Sequence, residues 1–301
     1  MIVTATPNPA IDITVSVRDL DRGGSHTVPV AHRRLGGKAV NVARVAAQQG
    51  VAATAVLLGD VPEDLAAEGI PGVDLVAVPT RHGIRSTYAV VETDTGTVTM
   101  LNEHGAARST SEWDAFVDAV GQARRAASCL VLSGSLPPDS NLEYLGTLVR
   151  DARAAGIPVI ADLVGDALWT AARAGADVVK PNRAELVRTV GYDDPEAGAR
   201  ALQDDGARMV IVSLGEDGLI VVPPGGSPVH AALDRPLTGN PTGAGDAAVA
   251  AVAARFDRGD SLDPAAVATA AVAWSAAAVL APLAGTLDDS LPDLVARVRV
   301  R

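Results

Sequence analysis

The chain contains very little cysteine and few aromatic residues. Among its 301 residues there is one cysteine, Cys129, and Phe, Trp and Tyr together make up 3%. A single cysteine excludes an internal disulfide framework. Because Cys129 lies in an apolar run that predicts a strand, a buried structural thiol is favoured over a nucleophile. Hydrophobic residues make up 48% of the chain, so we expect a large core of Ala, Val, Leu and Ile. The length allows one large α/β domain with an appendage, or two small domains.

An excess of basic residues and long apolar runs are also absent. The net charge of −11 argues against nucleic acid as the main partner, since no basic field would attract its phosphates. No window reaches the roughly 18 unbroken apolar residues of a membrane span, and residues 1–4 do not begin a signal peptide. The five histidines show no metal-binding spacing. We expect a soluble, cytoplasmic protein with neither a nucleic acid nor a membrane as partner.

Two stretches of the N-terminal third alternate apolar and polar residues with a period of two, as in strands with one solvent-exposed face. The first covers residues 11–17 and continues more weakly over 27–35. The second, residues 86–101, predicts a hairpin. These stretches predict a small sheet, formed by residues 12–35 and 79–105, that acts as a lid and excludes water from a site.

From residue 111 onward, nearly continuous apolar strands alternate with helices. This pattern predicts an α/β fold with a mostly parallel sheet covered on both faces, formed by residues 1–11, 36–78 and 106–301. Ligands of such sheets bind beyond the carboxyl ends of the strands. Three polar groups follow strands at that edge: Ser133-Gly134-Ser135, Lys180-Pro181-Asn182 and Ser213-Leu214-Gly215.

The segment Gly243-Ala244-Gly245-Asp246 precedes an alanine-rich run that predicts a helix. The free amides of Ala244, Gly245 and Asp246 at such a helix start can bind an anion. The Asp246 carboxylate would repel that anion. The two features agree if Asp246 takes a proton from an attacking hydroxyl while the amides stabilise charge on a phosphoryl group.

Other interpretations of these motifs stay open at this point. Residues 243–248 also fit the dinucleotide pattern G-x-G-x-x-A, although no strand leads directly into them. Asp246 could simply be a charge at a helix N-terminus. Asn182 and Glu185 fit a capping box, or they could orient waters around Mg²⁺.

The motifs together, in their order along the chain, resemble the PfkB (ribokinase-like) carbohydrate kinases over essentially the whole sequence. The resemblance is strongest to the branch of 1-phosphofructokinases and tagatose-6-phosphate kinases. The motifs that carry it are Asn8-Pro9-Ala10 with Asp12, Gly36-Gly37-Lys38 with Asn41, Ser133-Gly134-Ser135-Leu136-Pro137-Pro138, Lys180-Pro181-Asn182 with Glu185, Ser213-Leu214-Gly215 with Gly218, and Gly243-Ala244-Gly245-Asp246. The resemblance implies a three-layer sandwich with a small β-sheet lid, and ATP-dependent phosphorylation of a sugar hydroxyl with Mg²⁺.

The resemblance also implies roles for individual residues. Asp246 would be the catalytic base, and the amides of Gly243, Ala244 and Gly245 would form the anion hole for the γ-phosphoryl group. Sugar-binding positions would be Asp12, Gly36, Gly37, Lys38 and Asn41, with Arg85 and Ser135 on the existing phosphate of the substrate. Nucleotide-side positions would be Lys180, Asn182, Glu185, Ser213, Gly215 and Gly218, with Glu185 meeting the metal through water. A homodimer formed by lid-to-lid packing is the expected assembly.

Three departures from the family pattern concern the substrate. The chain has Gly36-Gly37-Lys38-Ala39 for the usual Gly-Gly-Lys-Gly, and Arg85-Ser86-Thr87 for the usual Arg-x-Asn. Residues 24–27 lack the basic residue that is common in sugar-phosphate members, for which Arg85, Arg22 or Arg33 could compensate. We expect a ketohexose phosphate such as fructose 1-phosphate as substrate. The alternatives are a kinase for an unphosphorylated hexose or polyol, and a non-catalytic binding protein, against which Asp246 argues.

Overall fold

The computed structural model describes all residues from 1 to 301. The strands are β1 Ile2–Thr6, β2 Ala10–Val17, β3 His32–Gly36, β4 Ala53–Leu58, β5 Val73–Val78, β6 Arg85–Glu92, β7 Val98–Asn102, β8 Leu130–Ser133, β9 Val159–Asp162, β10 Val178–Val179, β11 Met209–Ser213, β12 Leu219–Val222, β13 Val229–Leu233 and β14 Val298–Val300. The helices are α1 Lys38–Gln48, α2 Glu63–Glu68, α3 Thr110–Ala123, α4 Glu143–Ala154, α5 Asp166–Arg173, α6 Arg183–Val190, α7 Pro195–Asp204, α8 Ala244–Arg258, α9 Pro264–Leu280 and α10 Leu291–Arg297.

The large sheet has ten strands in the order β14-β13-β12-β11-β10-β9-β8-β1-β4-β5. Its strands from β11 to β5 pair in parallel, while β12, β13 and β14 are added antiparallel at one edge. Nearly every residue of the central strands is buried, because helices cover both faces. Helices α1, α8, α9 and α10 pack on one face and α3 to α7 on the other, each over its own apolar cluster. The predicted α/β three-layer architecture is confirmed.

A separate four-stranded sheet has the order β3-β2-β6-β7. Its central strands β2 and β6 pair in parallel, which places Asp12 opposite Thr87 and Ala10 opposite Arg85. The chain passes directly from β1 of the large sheet into β2 of this small sheet. Because β2 starts only four residues after β1 ends, the small sheet lies over the carboxyl edge of the large one. The predicted small, separate sheet is thus present.

One local expectation was wrong, and one part of the chain was not predicted. The pattern over residues 27–35 predicts a strand that begins at residue 27, but the strand starts only at His32. Pro29 lacks an amide hydrogen for a ladder bond, and β3 is an edge strand with no neighbour on its outer side. The C-terminal helix α10 and the short strand β14 have no counterpart in the sequence prediction. Three half-exposed residues give too short a pattern to identify a strand.

None of the helices combines the length and the apolar character needed to cross a lipid bilayer. The longest, α9, is rich in alanine and buried on most of its sides against α8 and the large sheet. Its Ser275 hydroxyl donates to the backbone oxygen of Ala244 at 2.8 Å, which ties α9 to the first turn of α8. The packing of α9 therefore supports the helix start at which the glycine-rich segment lies.

Candidate active site

A cavity of about 990 Å³ opens between the carboxyl edge of the large sheet and the small sheet. All the site residues predicted from the sequence line this cavity except Gly36, which lies directly behind Asp12. Residues from β2 and β6 contribute one wall, and residues that follow β8, β9 and β11 contribute another. The fold therefore brings together motifs that are separated by more than 200 positions in the chain.

Asp246 lies in the first turn of α8 and is buried. Its Oδ2 accepts a hydrogen bond of 2.9 Å from Nδ2 of Asn41, on α1. Burial raises the pKa of Asp246 to about 7; Lys38, the Asn41 hydrogen bond and Lys180 oppose the shift, while the charge of Asp162 adds to it. A carboxyl group with a pKa near neutrality can accept and release a proton at physiological pH.

The glycine-rich segment leaves several amides free at the start of α8. Gly243 has φ 87°, a left-handed conformation that glycine adopts without strain. The N–H groups of Gly243, Gly245 and Asp246 donate to no protein acceptor, whereas Ala244 N–H donates to the Pro241 oxygen at 3.2 Å. Both expected sets of free amides, residues 244–246 from the helix start and residues 243–245 from the resemblance, are therefore wrong at Ala244, because the turn before the helix uses its amide.

A buried carboxylate that the sequence analysis overlooked, Asp162, lies at the centre of the charged cluster. It is 1% exposed, and its oxygens are 3.3 Å from Lys38 Nζ and 3.5 Å from Lys180 Nζ. Ser133 Oγ donates to it at 3.4 Å. These two ammonium groups lower the pKa of Asp162 although burial opposes the shift. Asp162 ends β9, so the criterion that selected Ser133, Lys180 and Ser213 could have found it.

Three carboxylates act on the charge of Lys38. Besides Asp162, its Nζ is 3.9 Å from Oε1 of Glu185. Desolvation opposes its charge, but Asp162, Glu185 and Asp246 raise the pKa of Lys38 above its usual value. Lys180, 3% exposed, lies close to Gly245, since a Cβ on that glycine would be 3.3 Å from Lys180 Nζ. Lys180 Nζ therefore lies next to the helix start that carries the free amides.

The capping-box interpretation of Asn182 and Glu185 is confirmed. Glu185 N–H donates to Asn182 Oδ1 at 2.8 Å, and Asn182 N–H donates to Glu185 Oε2 at 2.9 Å. This cap uses only one of the Glu185 oxygens. Oε1 remains on the side of Lys38 and the cavity. Glu185 can therefore both start α6 and face a ligand.

No three His, Cys, Asp or Glu side chains are grouped closely enough to bind a metal ion by themselves. The donors nearest to such a site are Asp162 and Glu185, and Lys38 lies against both. Mg²⁺ is often held by one or two carboxylates, several waters and phosphate oxygens of the substrate. These two carboxylates would fit a magnesium ion that is shared with the phosphates of a ligand, with Glu185 as the residue that would hold it, and they do not fit a resident metal.

Asp12 on β2 faces the cavity from the small sheet. Its Oδ1 accepts a hydrogen bond of 2.7 Å from Thr87 Oγ1, which is its neighbour across the β2–β6 pair. On its other side Asp12 lies against Gly36, where a Cβ would be 2.1 Å from Oδ2. Arg34, buried on β3, also faces Asp12 and donates to the backbone oxygen of Ala284. Sequence reasoning missed Thr87 and Arg34 as partners of Asp12, because only the strand register brings them together.

The sequence resemblance makes Asp12 a sugar-binding residue and the far end of the cavity the ATP site. On that expectation, Gly36→Ala should raise KM for the sugar at least about tenfold and leave KM for ATP nearly unchanged. The added methyl must displace the Asp12 carboxylate, and a lost hydrogen bond to a charged group is worth about 1.5–3 kcal/mol. Steady-state kinetics with each substrate varied in turn would measure this. Gly121→Ala on α3, where a Cβ meets nothing within 4 Å, is the matched control. Wild-type KM values for both substrates in Gly36→Ala would contradict the argument.

Arg85 and Ser135 line the same end of the cavity. Arg85 Nη1 donates to the Glu103 oxygen at 2.9 Å, and its Nε donates to the Asn8 oxygen at 3.4 Å. Arg22 and Arg33, which were considered as additional phosphate ligands, do not line the cavity; Arg33 pairs instead with Asp64 at 3.4 Å. Arg85 and the buried Arg34 are therefore the arginines that this end of the cavity offers.

The opposite end of the cavity is formed by Ser213, Gly215 and Gly218 together with apolar side chains. Ser213 ends β11 and forms an isolated bridge with Asn182. Gly218, at φ 84°, passes so close to β13 that a Cβ would lie 2.0 Å from the Ala231 oxygen. The apolar residues at this end come from the strands and from α9 and the loops beside it: Leu219, Leu233, Leu237, Val272, Ala276, Val279 and Leu283.

Comparison with known proteins agrees with this geometry. The family model described as pfkB family carbohydrate kinase matches residues 5–290. ATP-dependent 6-phosphofructokinase isozyme 2 of Mycobacterium tuberculosis is 32% identical over 87% of this chain and 79% of that protein. 1-Phosphofructokinase of Rhodobacter capsulatus is 34% identical over 83% of this chain and 81% of that protein. Phosphofructokinase-2 from Escherichia coli, in its crystal structure with fructose-6-phosphate, superposes with a TM-score of 0.86 at 28% identity, covering 98% of both chains.

These matches extend over nearly the whole length of the chain, and the structural match includes both sheets. The motif series found in the sequence, the cavity and the comparisons all lead to the same assignment. The chain belongs to the pfkB family of carbohydrate kinases and has its ribokinase-like fold.

Proposed function

We propose that this enzyme transfers the γ-phosphoryl group of ATP to a hydroxyl group of a ketohexose phosphate. The observation that carries the proposal is the buried Asp246, with its pKa near 7, beside the free amides of Gly243 and Gly245. A base and an anion-binding site at one helix start match the two needs of phosphoryl transfer to an alcohol. These needs are removal of the hydroxyl proton and stabilisation of the transferred group.

In the proposed mechanism, the sugar hydroxyl lies beside Asp246 and gives its proton to the carboxylate as its oxygen bonds to the γ-phosphorus. The bond between that phosphorus and the β,γ-bridging oxygen breaks, and ADP leaves. Asp12 and Asn41 orient the sugar. Lys38 and Lys180, held by Asp162, stabilise negative charge on the phosphoryl group together with the free amides. Closure of the small sheet would exclude water, which could otherwise accept the phosphoryl group.

ATP would lie along the other end of the cavity, with its base against the apolar side chains and its phosphates toward Lys180 and Asn182. Mg²⁺ would neutralise the phosphates and would be held by Glu185 through water. Because ATP is made and used inside the cell, this function implies a cytoplasmic location.

The choice of a ketohexose phosphate is supported by Arg85 and Ser135 at the sugar end of the cavity, and by relatives that are named phosphofructokinases. A coupled assay of ADP release tests it, with fructose 1-phosphate, fructose 6-phosphate, tagatose 6-phosphate, fructose, ribose and a polyol at fixed ATP and Mg²⁺. We expect the highest kcat/KM with a phosphorylated ketohexose. Activity confined to unphosphorylated sugars would contradict the proposed substrate class and favour a hexose or polyol kinase. Arg85 would then bind only the backbone oxygens of Asn8 and Glu103.

We also infer that the small sheet, within residues 12–35 and 79–105, is a lid and that two copies of the chain pack lid to lid. Four partly exposed apolar residues on β2, β6 and β7 lie on the face away from the cavity: Val15, Tyr88, Val90 and Leu101. Leu101 is 56% exposed, and a group of exposed apolar residues on one face is typical of an interaction site. A second lid would cover this face.

We expect wild-type protein to sediment as a dimer and Leu101→Asp to sediment as a monomer, because a buried unpaired charge at the interface is unfavourable. Sedimentation velocity over a range of concentrations measures this. Val295→Asp, at an apolar position on α10 that is 43% exposed, should remain dimeric. A monomeric wild-type protein would contradict the proposed assembly.

A further inference from the structure

Asn8 lies where β1 of the large sheet ends and β2 of the small sheet begins, and no role described above uses its side chain. The residue is 2% exposed and lines the cavity. Its Nδ2 donates to Ser135 Oγ and to the His104 backbone oxygen, both at 3.0 Å, with the Leu136 oxygen at 3.4 Å. A single amide group therefore connects the segment that follows β7 with the loop that follows β8.

The neighbours of this amide determine its orientation. The oxygen and nitrogen of a primary amide have nearly the same shape, so the assignment depends on hydrogen-bonding partners. Two of the three partners are backbone carbonyl oxygens, which only accept, so the atom that faces them is Nδ2. Oδ1 is buried on the other side without a partner, close to Gly105, where a Cβ would lie 2.5 Å away.

This orientation fixes the direction of the Ser135 hydroxyl. Nδ2 has no lone pair to offer, so Ser135 Oγ must accept the bond and keep its own hydrogen for another partner. The backbone oxygen of Asn8 also accepts from Arg85 Nε. Asn8 therefore holds both groups that the proposed function places on the existing phosphate of the sugar, and it leaves the Ser135 O–H free to donate.

We propose that Asn8 is a positioning residue that makes the site prefer phosphorylated sugars, by keeping the Ser135 hydroxyl directed as a donor toward the phosphate. The inference rests on the proposed function, since it requires a phosphorylated substrate. Alanine at position 8 would let the Ser135 hydroxyl donate to the backbone oxygens that Asn8 now occupies. Aspartate would accept the Ser135 hydrogen and bring a negative charge close to the phosphate.

The test is steady-state kinetics of Asn8→Ala and Asn8→Asp with fructose 1-phosphate, fructose 6-phosphate, fructose and ATP. We expect KM for the preferred ketohexose phosphate to rise at least about tenfold in Asn8→Ala and further in Asn8→Asp. KM for ATP and kcat/KM for fructose should stay within about twofold, because neither contains this contact. In a Ser135→Ala background, Asn8→Ala should add less than about twofold, since the two residues act through one hydrogen bond. Asn141→Ala, at an exposed asparagine outside the cavity, is the control and should match wild type.

The outcomes separate the inference from the proposed function. Equal losses for fructose and for its phosphates in Asn8→Ala would show a merely structural role and overturn the inference. An undiminished tenfold effect in the Ser135→Ala background would also overturn it. A wild-type enzyme that phosphorylates ketohexose phosphates but is matched by Asn8→Ala would overturn the inference alone. A wild-type enzyme without activity on phosphorylated sugars would overturn the proposed function and the inference together.

Discussion

Asp246→Asn is expected to lower kcat at least about 10²-fold while changing KM for both substrates only modestly. The amide has nearly the same shape as the carboxylate, and its oxygen can still accept the 2.9 Å hydrogen bond from Asn41. It cannot take a proton from the sugar hydroxyl. The measurement is a full steady-state analysis of the purified variant, with Asp204→Asn on the exposed face of α7 as the matched control. Near-normal turnover would mean that another group is the base.

The pH dependence gives a second readout of the same residue. Because the base acts in its ionised form, kcat/KM of the wild-type enzyme should rise with pH through about 7. The folded state also binds this proton more tightly than the unfolded chain, in which the carboxyl has its ordinary pKa of about 3.8. Binding of this proton therefore contributes to the free energy of unfolding at low pH. The contribution decreases as pH rises from about 3.8 to about 7, and it is absent above about 7. Asp246→Asn should accordingly gain thermal stability over wild type at pH 8 and gain much less at pH 5.

Asp162→Asn is expected to lower the free energy of unfolding by about 3–5 kcal/mol, because it leaves Lys180 buried without its ion partner. It should also reduce kcat/KM at least about tenfold, since Lys38 and Lys180 lose the group that fixes their ammonium positions. Urea unfolding and steady-state kinetics measure the two effects. Asp205→Asn removes an exposed pair with Arg173 and should change the stability by no more than about 1 kcal/mol.

Measuring both stability and kcat/KM of Asp162→Asn distinguishes a carboxylate that positions the lysines for catalysis from one that only stabilises the fold. A destabilised variant with wild-type kcat/KM at low temperature would mean that Asp162 supports the fold and does not position the lysines. A stable variant would contradict the view that Lys180 depends on this carboxylate. Loss of the Asp162 charge should also lower the pKa of Asp246, because that charge helps to raise it. The acidic limb of the pH profile should then move to lower pH.

Much of the fold and many of the cavity residues could be predicted from the sequence, for a simple reason. Strand ends and glycine-rich helix starts are local patterns, and in a parallel sheet the carboxyl ends of strands lie at one edge, so Ser133, Lys180 and Ser213 had to come near each other. The helix start at Gly243 is also recognisable locally, although which of its amides remain free depends on the Pro241 turn.

The remaining parts of the site depend on pairings that no local pattern contains. Thr87 meets Asp12 only because β2 and β6 pair in parallel, and that pairing joins strands that are far apart in the sequence. The bond between Asn41 and Asp246 joins residues 205 positions apart. Asp162 was visible as a strand-end residue, but a lone aspartate there has many ordinary explanations. Its importance becomes clear only when Lys38 and Lys180 are seen on either side of it.

The position of β1 has a consequence for how the polypeptide matures. This strand is synthesised before β4 and β8, yet it lies between them in the sheet, and every residue in it is inaccessible to solvent. A nascent polypeptide that has not yet reached residue 130 therefore carries a β-branched and alanine strand, meant for burial, with one open edge, a surface that associates readily with other chains. Shielding this edge during translation, by the ribosome exit tunnel or by a chaperone, should determine how much enzyme a cell recovers.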